Sequence, residues 1–252
     1  MHEDFLYQTI KINKKNGKYR IIYAPSPSYK SLLRSFIPLL LDIHNRNIIF
    51  DCDHAFLPNR NCVTNASQHI NNRYVLTLDI ENFFDSIQTH RLLEYIPPNI
   101  LNFMLVDNKV AQGFPTSPYL ANISMIQIDF QIIQALKKID PSIIYTRYAD
   151  DLTISFNLKT HHKNVHNIIQ DILKEFQLNL NSLKTKIQDK QHGRAIITGI
   201  GVSFSGVHPT RATLKKLRAA LHQNNASSYN GLLAWSKCRF PQKSSSVDKI
   251  KA

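Results

Sequence analysis

Asp150 and Asp151 stand side by side in YTRYADDLTIS (145–155), between two runs that read as strands. A third carboxylate, Asp79, falls near the end of the alternating run RYVLTLDI (73–80). One sheet could bring both strand ends to the same place. Two carboxylates about 4 Å apart then repel by about 4 kcal/mol at an effective dielectric of ~20. Raised pKa values or a divalent cation must relieve that repulsion. Hard oxygen ligands with no His or Cys beside them suit Mg²⁺ better than zinc. A pair of such ions about 3.5–4 Å apart suits in-line phosphoryl transfer. Taken alone, an Asp-Asp pair is more often a solvated hairpin turn.

Other strings keep it company. QGFPTSP (112–118) puts Gln112 and Gly113 ahead of two prolines and a helix start, a tight loop able to approach a base pair. In LDIENFFDSI (78–87), Phe84 follows Asp79 at a distance where a bulky ring could lie beneath a nucleotide sugar.

These residues need elements to position them. IKINKKNGKYRIIYAPSP reads as two short strands around KKNG, with a basic tip of Lys14, Lys15 and Lys18. YKSLLRSFIPLLLDIHNR has helical spacing, with Pro38 as kink or boundary. In RYVLTLDI, Leu76, Leu78 and Ile80 form the core face; Val75, Thr77 and Asp79 form the less apolar one. SPYLANISMIQIDFQIIQALKKID predicts a long helix, with Ser117 as N-cap and Pro118 first. SIIYTRY and LTISFN predict a hairpin with the Asp pair at its turn, and HHKNVHNIIQDILKEFQ an amphipathic helix. The order implies an α+β fold, an antiparallel sheet backed by helices on one face.

Composition narrows the partners. The 252 residues carry a net charge of +13, with 43% hydrophobic and 19% charged residues. That points to a packed chain with a polyanionic partner, nucleic acid ahead of a membrane surface. Between Arg211 and Ala252 lie nine Lys or Arg and a single acid, Asp248. TRATLKKLRAALHQ interleaves Leu214, Leu217 and Leu221 with Lys215, Lys216 and Arg218, one face to pack and one to meet phosphates. Ser244, Ser245 and Ser246 suggest a disordered end. Cys52, Cys62 and Cys238 have neither metal nor disulfide spacing, which fits a reducing cytoplasm. No signal peptide and no membrane span is expected.

In order and spacing, LDIENFFDSI, QGFPTSPYLAN, YTRYADDLTIS and LNSLKTKI resemble motifs A to D of reverse transcriptases, and the likeness runs from about Lys14 to about residue 235. NASQH (65–69) resembles the NAxxH signature of the retron-type bacterial enzymes. IITGIGVSF (196–204) resembles their VTG region, with Ile197 for the usual valine.

The resemblance implies a right-hand polymerase fold of fingers, palm and short helical thumb. Fingers and palm take 1–205, the fingers mainly 1–75 and about 92–118, and a basic thumb takes 206–252. It implies RNA-directed DNA polymerase activity with two Mg²⁺ ions, Mn²⁺ being a substitute. Asp79, Asp150 and Asp151 would hold the metals with the Ile80 carbonyl. Phe84 would exclude a ribose 2′-OH. Gln112 and Gly113 would line the nascent pair, and Arg20 would grip the triphosphate with Lys14 or Lys18. Lys184, or its competitor Lys186, would protonate the leaving pyrophosphate. Asn65 and His69, four apart and so on one face if helical, have two readings: a capping Asn with a hydrogen-bonded His, or a fold-specific or RNA-contacting role. Arg211, Lys215, Lys216 and Arg218 would hold RNA. Expected partners are a cognate structured noncoding RNA, its branched cDNA, deoxynucleoside triphosphates and a separate effector protein of anti-phage defence. The alternatives are a non-retron bacterial reverse transcriptase, protein-primed or untemplated, and a non-catalytic RNA-binding scaffold.

Overall fold

The computed structural model describes residues 6–13, 17 and 19–238. Lys14, Lys15 and Lys18, and everything beyond residue 238, including the serine run, lie outside the described residues. The chain divides into two compact units that interleave along the sequence. The first takes Met1–Asp51, Ile80–Ile139 and Val165–Asn181; the second takes Cys52–Asp79, Asp140–Asn164 and Ser182–Ala252.

In the first unit, β1 (Tyr7–Asn13) and β2 (Tyr19–Pro25) form the expected antiparallel hairpin, Tyr7 opposite Pro25 and Asn13 opposite Tyr19. The Ser26 side chain caps α1 (Pro27–Ser35), accepting from the Tyr29 N–H. α2 (Ile37–Asn47) follows at once. Pro38 lies in its first turn, where no amide hydrogen is missed, so the proline marks a boundary.

The chain then enters the second unit. Asn61 and Thr64 make a reciprocal capping box at the start of α3 (Cys62–Ser67). This helix ends before His69, so Asn65 and His69 do not share one helical face. β3 (Tyr74–Asp79) follows. Both its faces are buried, with Thr77 the partial exception. The expectation of one core face and one less apolar face is corrected because β3 is a central strand.

Back in the first unit come three short helices, α4 (Phe83–Ser86), α5 (Thr89–Leu92) and α6 (Pro98–Leu101). A two-stranded ribbon, β4 (Leu105–Val106) and β5 (Lys109–Val110), leads to α7 (Ser117–Ile139). Ser117 opens α7, and its hydroxyl donates backwards to the Ala111 carbonyl at 2.6 Å.

β6 (Ile144–Tyr148) and β7 (Asp151–Phe156) make the expected hairpin in the second unit, and α8 (His161–Glu175) runs from that unit into the first. β8 (Lys186–Asp189) completes a four-stranded antiparallel sheet in the order β6-β7-β3-β8. Three short strands, β9 (Ala195–Ile197), β10 (Ile200–Ser203) and β11 (Gly206–Pro209), form a second sheet. α3 packs on it through Cys62, Val63 and Ala66, in a core that includes Val75, Ile197, Ile200 and Val202. Thr198 and Gly199, at φ 43° and 81°, make the two-residue turn between β9 and β10. Gly199 therefore serves a tight hairpin turn.

α9 (Arg211–His222), capped by Thr210, and α10 (Ala226–Ser236) end the described chain. Trp235 is 41% exposed, and its ring edge lies beside Gly199. Leu221 is exposed too, because the α9–α10 hairpin buries little beyond Thr213 and Ala220. All three cysteines are buried free thiols. Among the described residues no helix is long and apolar enough to cross a membrane.

Candidate active site

The register of β3 on β7 sets the site. Thr77 faces Thr153, Leu78 faces Leu152 and Asp79 faces Asp151. Residues directly opposite in an antiparallel ladder project to the same side, with Cα atoms about 4.5–5.5 Å apart. Asp79 and Asp151 therefore share one end and one side of the sheet. Asp150 occupies the two-residue tip between Tyr148 and Asp151, beside Ala149. Ala149 takes a left-handed φ of 57°, a conformation that costs a non-glycine residue about 1–2 kcal/mol.

The repulsion anticipated from sequence is visible in the electrostatics. The Asp151 carboxyl is pushed up to about 6, first by burial and then by the charges of Asp150 and Asp79, with Lys184 pulling the other way. Lys184 Nζ donates to Asp79 Oδ2 at 2.7 Å. That bond holds the ammonium above the usual lysine range. Lys186, the competitor, lies within β8 opposite Thr77, and its carbonyl accepts from the Thr77 hydroxyl. Lys184 is thus the lysine directed at the carboxylates.

Among the described residues no group of three or more His, Cys, Asp or Glu side chains is arranged to hold a metal ion as it stands. The donor set nonetheless fits a divalent cation. Its ligands are hard oxygens, Lys184 offsets only part of their repulsion at Asp151, and Asp79 already pairs with a positive charge. Ile80 is buried, bridged to Leu180, and Glu81 N–H donates to the Asn179 carbonyl, which holds this stretch of backbone.

The residues expected at the nucleotide belong to the first unit. Arg20 is exposed on β2 opposite Ile12. Phe84 is half-buried, its ring centroid 5.6 Å from that of the buried Phe83. Gln112 Nε2 donates to Asp85 Oδ1 at 3.3 Å, and the Gln112 carbonyl accepts from Tyr23 N–H at 2.7 Å. Gly113 has φ 108°, and a Cβ there would lie 2.4 Å from the Tyr23 carbonyl oxygen. The glycine is required by the approach of its loop to β2.

Asn65 and His69 need correction as RNA contacts, because both are fully buried. Asn65 Nδ2 donates to Thr198 Oγ1 at 3.4 Å, joining the NASQH string to the turn of IITG. His69 bonds to Ser155 and Thr146. Arg211, Lys215, Lys216 and Arg218 all lie exposed on α9. Three polar residues escaped the sequence reading. Arg147, almost wholly buried, pairs with Asp53 at 3.7 Å while its backbone is bracketed by Cys52 and His54. Lys190 donates to the backbone carbonyls of His69 and Ile70, and burial pushes its ammonium down to about 8. An arginine next to YADD was the one available signal.

Residues 12–198 match the family described as reverse transcriptase (RNA-dependent DNA polymerase). The retron Mx65 reverse transcriptase of Myxococcus xanthus is 29% identical over 94% of this chain and 62% of its own. The retron Ec73 reverse transcriptase of Escherichia coli is 30% identical over 84% of this chain and 73% of its own. The chain thus spans roughly two thirds of the length of these relatives. In fold, it is similar to telomerase from Candida albicans solved with a fragment of telomeric RNA. The TM-score is 0.64 at 12% identity, over 90% of this chain and 54% of that one. The architecture is the polymerase fold of reverse transcriptases, mixed helix and sheet. On the family match and the identity to the retron enzymes, the chain belongs to the reverse transcriptases and, among them, to the retron type.

Proposed function

We propose that the chain is an RNA-directed DNA polymerase that copies part of a cognate structured noncoding RNA into branched single-stranded DNA. The observation that carries the reading is the pairing of Asp79 with Asp151 across the sheet, Asp150 at the adjoining tip and Lys184 bonded to Asp79. Asp79, Asp150, Asp151 and the Ile80 carbonyl would hold two Mg²⁺ ions, or Mn²⁺ in their place. Such ions, when bound, activate a hydroxyl nucleophile and neutralise phosphate charge.

This chain's residues do the rest. Lys184, kept protonated by Asp79, has a proton to give to the leaving pyrophosphate. Arg20 and a lysine of the first hairpin, Lys14 or Lys18, grip the triphosphate. Phe84 blocks a ribose 2′-OH, which selects deoxynucleotides. Gln112 and Gly113 line the nascent pair. Residues 1–205 supply fingers and palm. Residues 206–252 supply the thumb, whose Arg211, Lys215, Lys216 and Arg218 hold RNA phosphates.

The likeness to retron enzymes supports priming from a guanosine 2′-OH of the same RNA, a separate effector protein and a role in anti-phage defence. Extension of a DNA primer on a synthetic RNA template tests the polymerase. Sequencing of co-purifying nucleic acid, with and without debranching, tests the priming. Recovery of unbranched RNA alone counts against the retron product.

A further inference from the structure

The buried polar groups after α3 take no part in the chemistry above. His69 spans the two strands of the catalytic hairpin. Nδ1 lies 2.8 Å from Ser155 Oγ on β7, and Nε2 lies 2.8 Å from Thr146 Oγ1 on β6. Asn72 Nδ2 donates to both the hydroxyl and the carbonyl of Ser155, at 3.1 and 2.9 Å. One arrangement of protons satisfies all of them. Asn72 donates to Ser155 Oγ, the Ser155 hydroxyl donates to Nδ1, and Nε2–H donates to Thr146 Oγ1.

The backbone of the same segment is also held from the β8 edge of the sheet. Lys190, which follows the last residue of β8, donates to the carbonyls of His69 and Ile70 at 2.8 and 2.5 Å. Its ammonium also lies 4.5 Å from the Phe204 ring centroid. β6 and β7 lead to Asp150 and Asp151, β8 follows Lys184, and the segment itself runs into β3 and so to Asp79. Residues 69–72 therefore join every strand that carries a group of the site. A hydrophobic plug could fill the same space, but it would not fix the strands in one register as directed hydrogen bonds do.

We propose that His69 is a positioning residue. By bridging Thr146 and Ser155 while Lys190 holds its carbonyl, it fixes the Asp150–Asp151 hairpin against Asp79 and Lys184, and it sets the rate of nucleotide addition without touching RNA. The inference rests on the catalytic reading of the carboxylates.

The test is single-nucleotide extension of a DNA primer on a synthetic RNA template, with dNTP concentration and thermal melting measured alongside. Thr146→Val keeps the side chain's shape and loses its hydroxyl; Thr146→Ser keeps the hydroxyl; Ser155→Ala cuts the other end. Thr146→Val and Ser155→Ala should each lower kcat per folded molecule by about 10- to 100-fold with dNTP KM within about twofold. Thr146→Ser should retain the wild-type kcat, and the Thr146→Val/Ser155→Ala double variant should fall well short of the product of the single losses. Wild-type kcat in both single variants overturns the proposal. So does equal loss in Thr146→Ser and Thr146→Val, or a loss accounted for by the unfolded fraction. Asp150→Asn runs beside them: if it still extends the primer, the catalytic reading itself falls and takes this inference with it.

Discussion

Lys184 Nζ rests 2.7 Å from Asp79 Oδ2, and the two residues reach this contact from opposite sides of a strand pairing, β3 with β8. Asp79 is buried while the Lys184 side chain is 60% exposed. The ammonium therefore sits on the solvent side of a buried carboxylate. A proton donor parked on the carboxylates and open to solvent suits a group that serves the leaving phosphate. Lys184→Ala should lower the single-turnover rate of nucleotide addition by about 10²-fold, within the usual range for a lost general acid. Lys186→Ala should change it little. Equal losses at both positions would show that charge, not the placement of Lys184, is what the site needs.

Gly113→Ala should destabilise the protein by about 2–4 kcal/mol, from the left-handed φ together with the contact of the new Cβ with the Tyr23 carbonyl. Gly231, inside α10 with open space about it, is the contrast: Gly231→Ala should stabilise by about 0.5–1 kcal/mol. Urea unfolding of the two variants checks both signs.

His69 makes stability pH-dependent. Burial, with the nearby charges of His54 and Lys190, pulls its imidazole down from the usual 6.5 to about 3. Between those values the unfolded chain binds the proton and the folded chain does not, so stability falls as pH drops below 6.5. About 2 kcal/mol should be lost between pH 6.5 and pH 5 from this group. Asp151, held up at about 6, opposes the trend, because its folded form takes up a proton more readily than the unfolded form. The His69 contribution is therefore read as the difference between wild type and His69→Gln in urea titrations at the two pH values. Parallel pH profiles for the two proteins would contradict it.

Lys215 and Lys216 lie exposed on α9 with Arg211 and Arg218. If they meet RNA phosphates, replacing both by Ala should weaken RNA binding and reduce the slope of log K against log salt by about 1–2. The loss should be alike for unrelated RNA sequences, since phosphate contacts carry no base readout. An unchanged slope would remove α9 from the RNA path.

Much of the site was legible because its signals are local. Alternation in RYVLTLDI gives a strand ending near Asp79, and the Asp pair between two apolar runs gives a hairpin tip. What covers a strand is not local. Periodicity could not tell that β3 is buried on both faces, because that depends on its central place in the sheet. The partners of His69 lie far along the chain, at Thr146 and Ser155, and no spacing rule links them. The close approach of the Gly113 loop to the Tyr23 backbone likewise joins residues far apart in the chain.

The central claim is that Asp79, Asp150 and Asp151 are the catalytic carboxylates of a DNA polymerase that reads RNA. The most direct test is primer extension on an RNA template, in Mg²⁺, by wild type and by the Asp150→Asn/Asp151→Asn variant. Far-ultraviolet circular dichroism and RNA binding are measured on the same preparations. The account expects wild type to extend the primer with deoxynucleotides and the variant to lose at least about 10³-fold in rate, with fold and RNA affinity retained. A variant that extends at a rate near wild type would contradict it.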